Sequence, residues 1–259
     1  MAGRSRSLGV KDRLLQPIRD YGQVLRVVVP GQLMYRNAQL LSVTLEVDPA
    51  KMRTFMPAGL RLAEPYRADL FTAWFPETSF GNGYLAAGLL VHVRTRTGVG
   101  VHCPWLVADD DDALILGREV AGYPTKLATI TWESDGEQVT AAAARRGSPL
   151  LSMNARIREQ LPAAPFLGRP HRNVGPFLGL LVPAVFGFAP RETVREVHAV
   201  DLDFEMRGSD RDPIDRMGLG EVVGARLHRV DLTASMVPPL PLRPVPPTYV
   251  PRHLCMRAL

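Results

Sequence analysis

From Leu40 to Val47 apolar and polar residues alternate. Leu41, Val43, Leu45 and Val47 fall on one side, and Ser42, Thr44 and Glu46 on the other. Successive side chains of a strand point to opposite faces, so a period of two selects strand over helix and predicts one buried face. The same period returns in Ala128-Thr129-Ile130-Thr131-Trp132 and across Val194 to Met206. Between such runs lie breakers: 23 prolines and 22 glycines are scattered along 259 residues. Proline inside a helix removes a hydrogen bond and clashes with the preceding turn, which excludes long helices and leaves many strands joined by turns. Asp135-Gly136 is a tight-turn signal joining Ala128–Glu133 to Gln138–Ala144.

The rest of the chain follows this grammar. Leu14, Leu15 and Ile18 are spaced for one short amphipathic helix, and Gln23 to Pro30 reads as a strand. Asp48-Pro49 supplies an N-cap and a first-turn proline for a helix running to Met56, stopped by Pro57-Ala58-Gly59. Strands are expected over Asp69–Phe75, Tyr84–Thr95, Val101–Ala108 and Gly220–Thr233, with Pro149–Arg158 a mixed segment. Asp109 to Asp112 reads as an acidic turn feeding a strand at Ala113–Leu116. After Met236 seven prolines predict an extended tail. The expected organisation is an N-terminal extension over residues 1–22, one domain over 23–236 and a Pro-rich tail over 237–259.

Net charge is +5, almost wholly from arginine, since only Lys11, Lys51 and Lys126 are lysines. The arginines run from Arg4 to Arg257 among acids and form no stripe, so no nucleic-acid partner is expected. Cys103 and Cys255 lie far apart without metal-ligand spacing, as in a reduced cytoplasmic protein. The start, Met1 to Arg13, has no apolar core of a secretory signal. Val174 to Pro190 is the longest apolar stretch, but Pro176, Pro183 and its glycines break it, so no stable membrane insertion is expected. Neither a phosphate loop nor a dinucleotide fingerprint nor a Ser-His-Asp order occurs, and neither cofactor nor metal is expected.

Leu116-Gly117-Arg118-Glu119-Val120-Ala121-Gly122-Tyr123-Pro124-Thr125-Lys126-Leu127 reads as strand, polar corner and strand, bent at Gly122 and Pro124. This segment resembles the signature of the acetoacetate decarboxylase family, in which Gly-Arg-Glu is followed by an aromatic-Pro-Lys-Lys-Leu turn. Leu45 to Asp48 with Met56 to Leu60, and Pro213-Ile214 through Gly220 to Thr233, resemble the family at the level of pattern. The likeness spans Met34 to Thr233. It implies one α+β domain, mainly antiparallel β with a few short helices, closed into a cone-like barrel around an apolar pocket, and a homo-oligomer.

The resemblance also implies a set of site residues. The family's Schiff-base lysine falls at Thr125, and only the second lysine of its pair remains, as Lys126. Alternation turns Thr125 inward and Lys126 to the opposite face. The family's arginine falls at Ala38, with Arg36 two residues earlier as a partial replacement, and its pocket glutamate falls at Ala86. Each change removes charge and volume, which predicts a larger and less polar cavity. The expected catalytic residues are Thr125, Lys126, Arg36 and Tyr123. Ala38, Tyr84, Ala86, Arg118, Glu119, Phe177, Leu181 and Phe186 are expected against the substrate, with Arg118 and Glu119 a buried pair. His92 and His102 are read as candidates for acid–base chemistry or as core histidines.

Three functions fit. One is an enzyme acting without an imine, through a cyclase, pericyclase-like or lyase step on a bulky hydrophobic polyketide-like or oxo-acid substrate. A second is a Schiff-base β-keto-acid decarboxylase or aldolase-type enzyme using Lys126. The third is a non-catalytic protein that holds an apolar ligand or serves as a scaffold.

Overall fold

A computed structural model describes residues 32–96, 98–176, 183–235 and 241–245. The strands are β1 (Gln32–Val47), β2 (Arg67–Phe75), β3 (Glu77–Thr78), β4 (Tyr84–Thr95), β5 (Gly98–Ala108), β6 (Thr125–Leu127) and β7 (Thr129–Ser134). They continue as β8 (Gln138–Arg145), β9 (Ser148–Gln160), β10 (His171–Pro176), β11 (Pro183–Phe188), β12 (Arg191–Met206), β13 (Leu219–Ser235) and β14 (Pro241–Pro244). Two short α-helices, α1 (Pro49–Arg53) and α2 (Asp111–Glu119), and a 3-10 turn at Ile214–Arg216 complete the described residues. The expected N-terminal helix, the strand before Pro30 and most of the Pro-rich tail lie outside them.

One sheet runs β14-β11-β10-β5-β4-β2-β1-β13-β12-β9-β8-β7, with β3 on β1 and β6 on β5. Pairing is antiparallel except where β10 and β6 meet β5. The hydrogen-bond ladder does not close on itself. β7 instead packs back against β4 through side chains, with Ile130 sharing a core with Leu89 and Val91, and this closes the cone of an α+β, mainly antiparallel fold.

The central strands are buried on both faces, which the alternation in β1 did not foretell. Leu41, Val43 and Leu45 enter one core with Leu89, Trp105 and Met153. Ala38 and Leu40, from the other face, enter a second core with Phe71, Leu90, Cys103 and Val230. Ser42 is therefore buried rather than solvated, and Thr44 donates to the buried Asp69 carboxylate at 2.7 Å.

Two local expectations change. The expected strand at Ala113–Leu116 is helical. Asp110 caps it by accepting from the Ala113 N–H at 2.8 Å, and Asp111 and Asp112 in the first turn complement the helix dipole. The acidic run is a helix start, not a turn between strands. Part of the tail forms β14, which pairs with β11. Proline is tolerated there because the outer side of an edge strand needs no donor. The start of α1 agrees with its sequence, with Asp48 accepting from Ala50 and Lys51, but the helix ends at Arg53 rather than Met56.

Candidate active site

Helix α2 presents Ala113, Leu116, Gly117 and Val120 to a cavity, spaced i, i+3, i+4 and i+7 along one helical face. Gly122 then turns the chain at φ 69°, and a β-carbon there would lie 3.3 Å from the Val174 backbone. The turn delivers β6, which runs parallel to β5 with Thr125 beside Leu106 and Lys126 beside Val107. Thr125 is 1% exposed and lines the cavity, whereas Lys126 is 4% exposed and points the other way. A β-carbon on Gly117 would sit 2.6 Å from Thr125 Oγ1, so the glycine of Gly-Arg-Glu makes room for the side chain at 125.

Lys126 is spent on structure. Its Nζ donates to Asp212 Oδ1 at 2.9 Å and to the Arg211 carbonyl at 2.7 Å. Asp212 also accepts from Arg145 at 2.8 Å and from the Trp105 indole at 3.2 Å. Burial holds the Lys126 ammonium below its ordinary pKa, Asp212 opposes that shift, and Arg145 adds to it. Two buried cations thus share one carboxylate.

The cavity measures about 120 Å³. At roughly 10–15 Å³ per water-sized occupant this holds on the order of ten non-hydrogen atoms, well short of the roughly 300–1,000 Å³ of sites for drug-sized ligands. Aromatic rings occupy much of the space. Phe75 stacks on Tyr84 at 4.8 Å, and Tyr35 packs against Phe75 at 5.3 Å and Phe80 at 5.6 Å. The expectation of low polarity is met: the described lining residues include no Asp, Glu, Lys, Arg or His.

Hydroxyl groups supply the polarity. Burial pushes Tyr35 up to about 12 and Tyr84 well above its ordinary value. Tyr123 meets His171 Nδ1 at 2.9 Å, while His171 Nε2 lies 2.9 Å from the Leu167 carbonyl. A carbonyl only accepts, so Nε2 carries the ring proton, and Nδ1 accepts from the Tyr123 O–H. Burial lowers His171 to about 4, consistent with a neutral ring. Burial also raises the Cys103 thiol above its ordinary range. Thr125 Oγ1 is buried with no hydrogen-bond partner.

Several expected site residues lie elsewhere. A bulge at Arg36-Asn37, with Asn37 at φ 55° and a register shift between Tyr35 and Ala38, reverses the alternation of β1. Tyr35 consequently lines the cavity and Arg36 is exposed. Ala38 is fully buried in the adjoining core, and Ala86 and Tyr84 line the cavity. Glu119 is exposed and Arg118 half-buried, neither lining the cavity nor forming the expected buried pair, because the helical turn gives that face to Leu116, Gly117 and Val120. Phe186 packs beside Gly175, and Phe188 takes the wall position. Phe177 and Leu181 lie outside the described residues. His92 joins Asp69 and Arg169 at 2.8 and 3.0 Å, and His102 Nδ1 is 2.8 Å from the Arg172 carbonyl; neither histidine lines the cavity. Sequence reading missed Tyr35, His171 and the α2 stripe. Only the stripe had a signal, its helical spacing after an acidic cap.

The fold matches that of a known class of β-rich proteins. The family model described as acetoacetate decarboxylase covers residues 17–245, and the chain belongs to that family. It is similar to an acetoacetate decarboxylase of Chromobacterium violaceum, 31% identical over 228 residues, or 80% of this chain and 87% of the relative. Acetoacetate decarboxylase 2 of Mesorhizobium japonicum is 36% identical over 107 residues, so that match spans only 40% of either chain. Among solved structures, the acetoacetate decarboxylase of Legionella pneumophila aligns with a TM-score of 0.72 at 19% identity, over 83% of this chain and 87% of that one. The enduracididine biosynthesis enzyme MppR aligns at 0.69 and 15%, over 80% and 86%. At these identities the structural likeness concerns the fold.

Proposed function

We propose that this chain is an enzyme of the acetoacetate decarboxylase family that works without an imine. In this reading it carries out a cyclase- or lyase-type step on a hydrophobic substrate held in the cavity behind α2. One observation carries the reading. Thr125 is the β6 residue facing the cavity, and the neighbouring lysine is buried on the opposite face with its amine on Asp212. A threonine hydroxyl cannot form an iminium. Lys126 reaches the cavity only if β6 slips by one residue, which would also turn Thr125 out and bring the exposed Leu127 to the buried side.

In place of covalent chemistry the cavity offers enclosure and oriented hydroxyls. Holding a flexible chain in a reactive fold removes part of the entropic barrier, and fixed hydroxyl dipoles stabilise charge developing on a carbonyl oxygen. The aromatic walls of Tyr35, Phe75 and Tyr84 suit a compact apolar substrate, or the reacting end of a longer polyketide-like one. That MppR, a biosynthesis enzyme by its name, shares the fold fits a scaffold that supports more than one reaction.

Borohydride trapping tests the reading. The protein is incubated with a simple ketone and sodium borohydride, and its intact mass and peptide map are read. No lysine adduct is expected, and a reduced adduct on Lys126 would overturn the proposal in favour of Schiff-base chemistry.

A further inference from the structure

We propose that the cavity selects an uncharged ligand: a ketone or its enol on an apolar frame, without a carboxylate, phosphate or ammonium group. The inference deepens the functional reading by naming a substrate class, and rests on the same cavity being the active site.

The walls carry the argument. Among the described lining residues the only polar side-chain groups are the hydroxyls of Tyr35, Tyr84, Tyr123 and Thr125 and the thiol of Cys103. All are neutral near pH 7, and burial drives the tyrosines and the cysteine further from ionising. The nearby charges are already committed. Lys126 and Arg145 hold Asp212 on the opposite face. Arg169 holds Asp69 and covers the ring of Phe166, which in turn packs on Phe71, a residue of the cavity wall. A carboxylate entering the cavity would give up its hydration for neutral hydroxyls alone, at a cost of several kcal/mol.

A ketone asks for less, and the cavity supplies it. Tyr35 and Tyr84 both line the cavity, and each carries an O–H that can donate to a carbonyl oxygen. Thr125 Oγ1, buried and without a partner, is a further polar group that a ligand oxygen would satisfy. Such groups in an aromatic and aliphatic enclosure match one neutral oxygen function.

The test compares cyclohexyl methyl ketone with cyclohexanecarboxylate, equal in non-hydrogen atoms and nearly equal in shape. Each is titrated against the full chain at pH 7 by saturation-transfer NMR. The ketone is expected to bind with a Kd ~10-fold or more below that of the carboxylate, following the desolvation difference. Thr125→Val is expected to weaken the ketone severalfold, and Thr125→Ser to keep its affinity. Equal or tighter carboxylate binding overturns the inference, as does ketone affinity unmoved by Thr125→Val. The borohydride experiment separates the two readings. A lysine adduct removes the imine-free function and leaves the neutral preference standing, while carboxylate preference without an adduct removes only the neutral preference.

Discussion

Thr125 Oγ1 occupies the space that a side chain on Gly117 would need: a β-carbon there would come within 2.6 Å of it. The two residues belong to different elements, helix α2 and strand β6, and both line the cavity. The glycine of the signature is thus explained by packing.

Gly117→Ala is therefore expected to destabilise the protein by about 1–3 kcal/mol, the usual cost of overpacking, despite alanine's better helix propensity. Thr125→Ala removes the clashing oxygen, so the double variant should recover much of the loss. Urea unfolding of the four proteins gives the coupling directly. Additive losses would show that the clash is relieved elsewhere.

The Lys126–Asp212–Arg145 network predicts an order of damage. Asp212→Asn leaves two buried cations without their carboxylate and is expected to cost about 3–5 kcal/mol or more. Lys126→Met leaves Asp212 with Arg145 and the Trp105 indole, and should cost clearly less. Denaturant midpoints decide the order, and a reversed order would contradict the network as described.

Acid should weaken the fold before the carboxylates titrate. Burial holds His102, His171 and His228 at about 4, against 6.5 in an open chain. As pH falls from 6.5 towards 4 the unfolded chain binds protons that the folded chain refuses. This contribution is fully present above about 6.5 and is lost through that window, at up to ~1.4 kcal/mol per pH unit for each histidine. His228→Leu is expected to reduce the slope of unfolding free energy against pH by about a third. An unchanged slope would show that His228 protonates as easily folded as unfolded.

Installing a lysine at the cavity position gives a gain-of-function check. In Thr125→Lys the amine is placed in an apolar enclosure, where desolvation lowers its pKa and frees its lone pair. With a small ketone and borohydride this variant is expected to gain the mass of a reduced adduct on residue 125, with Lys126 unmodified. An adduct on Lys126 in the variant or the parent protein would show that β6 shifts register.

Tyr123→Phe removes the donor to His171 Nδ1 and leaves a buried acceptor unsatisfied, for an expected loss of about 1–3 kcal/mol. Replacing both residues by apolar ones, as in Tyr123→Phe with His171→Leu, should cost less than the sum of the single changes. Thermal unfolding of the single and double variants reads this out.

Much of this protein is set by local sequence. Period-two runs marked the strands, Asp135-Gly136 marked a hairpin, Asp48-Pro49 marked the start of α1, and Gly117 to Leu127 marked the family. These are choices made within a few residues, by dihedral preference and side-chain direction. The opposed facing of Thr125 and Lys126 belongs here too, because neighbouring strand residues must point apart. Tertiary structure decided the rest. A bulge at Arg36-Asn37 exchanged Arg36 for Tyr35 at the cavity wall, and the packing of α2 gave that wall to Leu116, Gly117 and Val120 instead of Arg118 and Glu119. Asp212 came from 86 residues away to hold Lys126, and His171 from 48 residues away to hold Tyr123. Such partners are chosen by which strands lie side by side and by the cost of leaving a buried polar group alone. No local pattern carries that information.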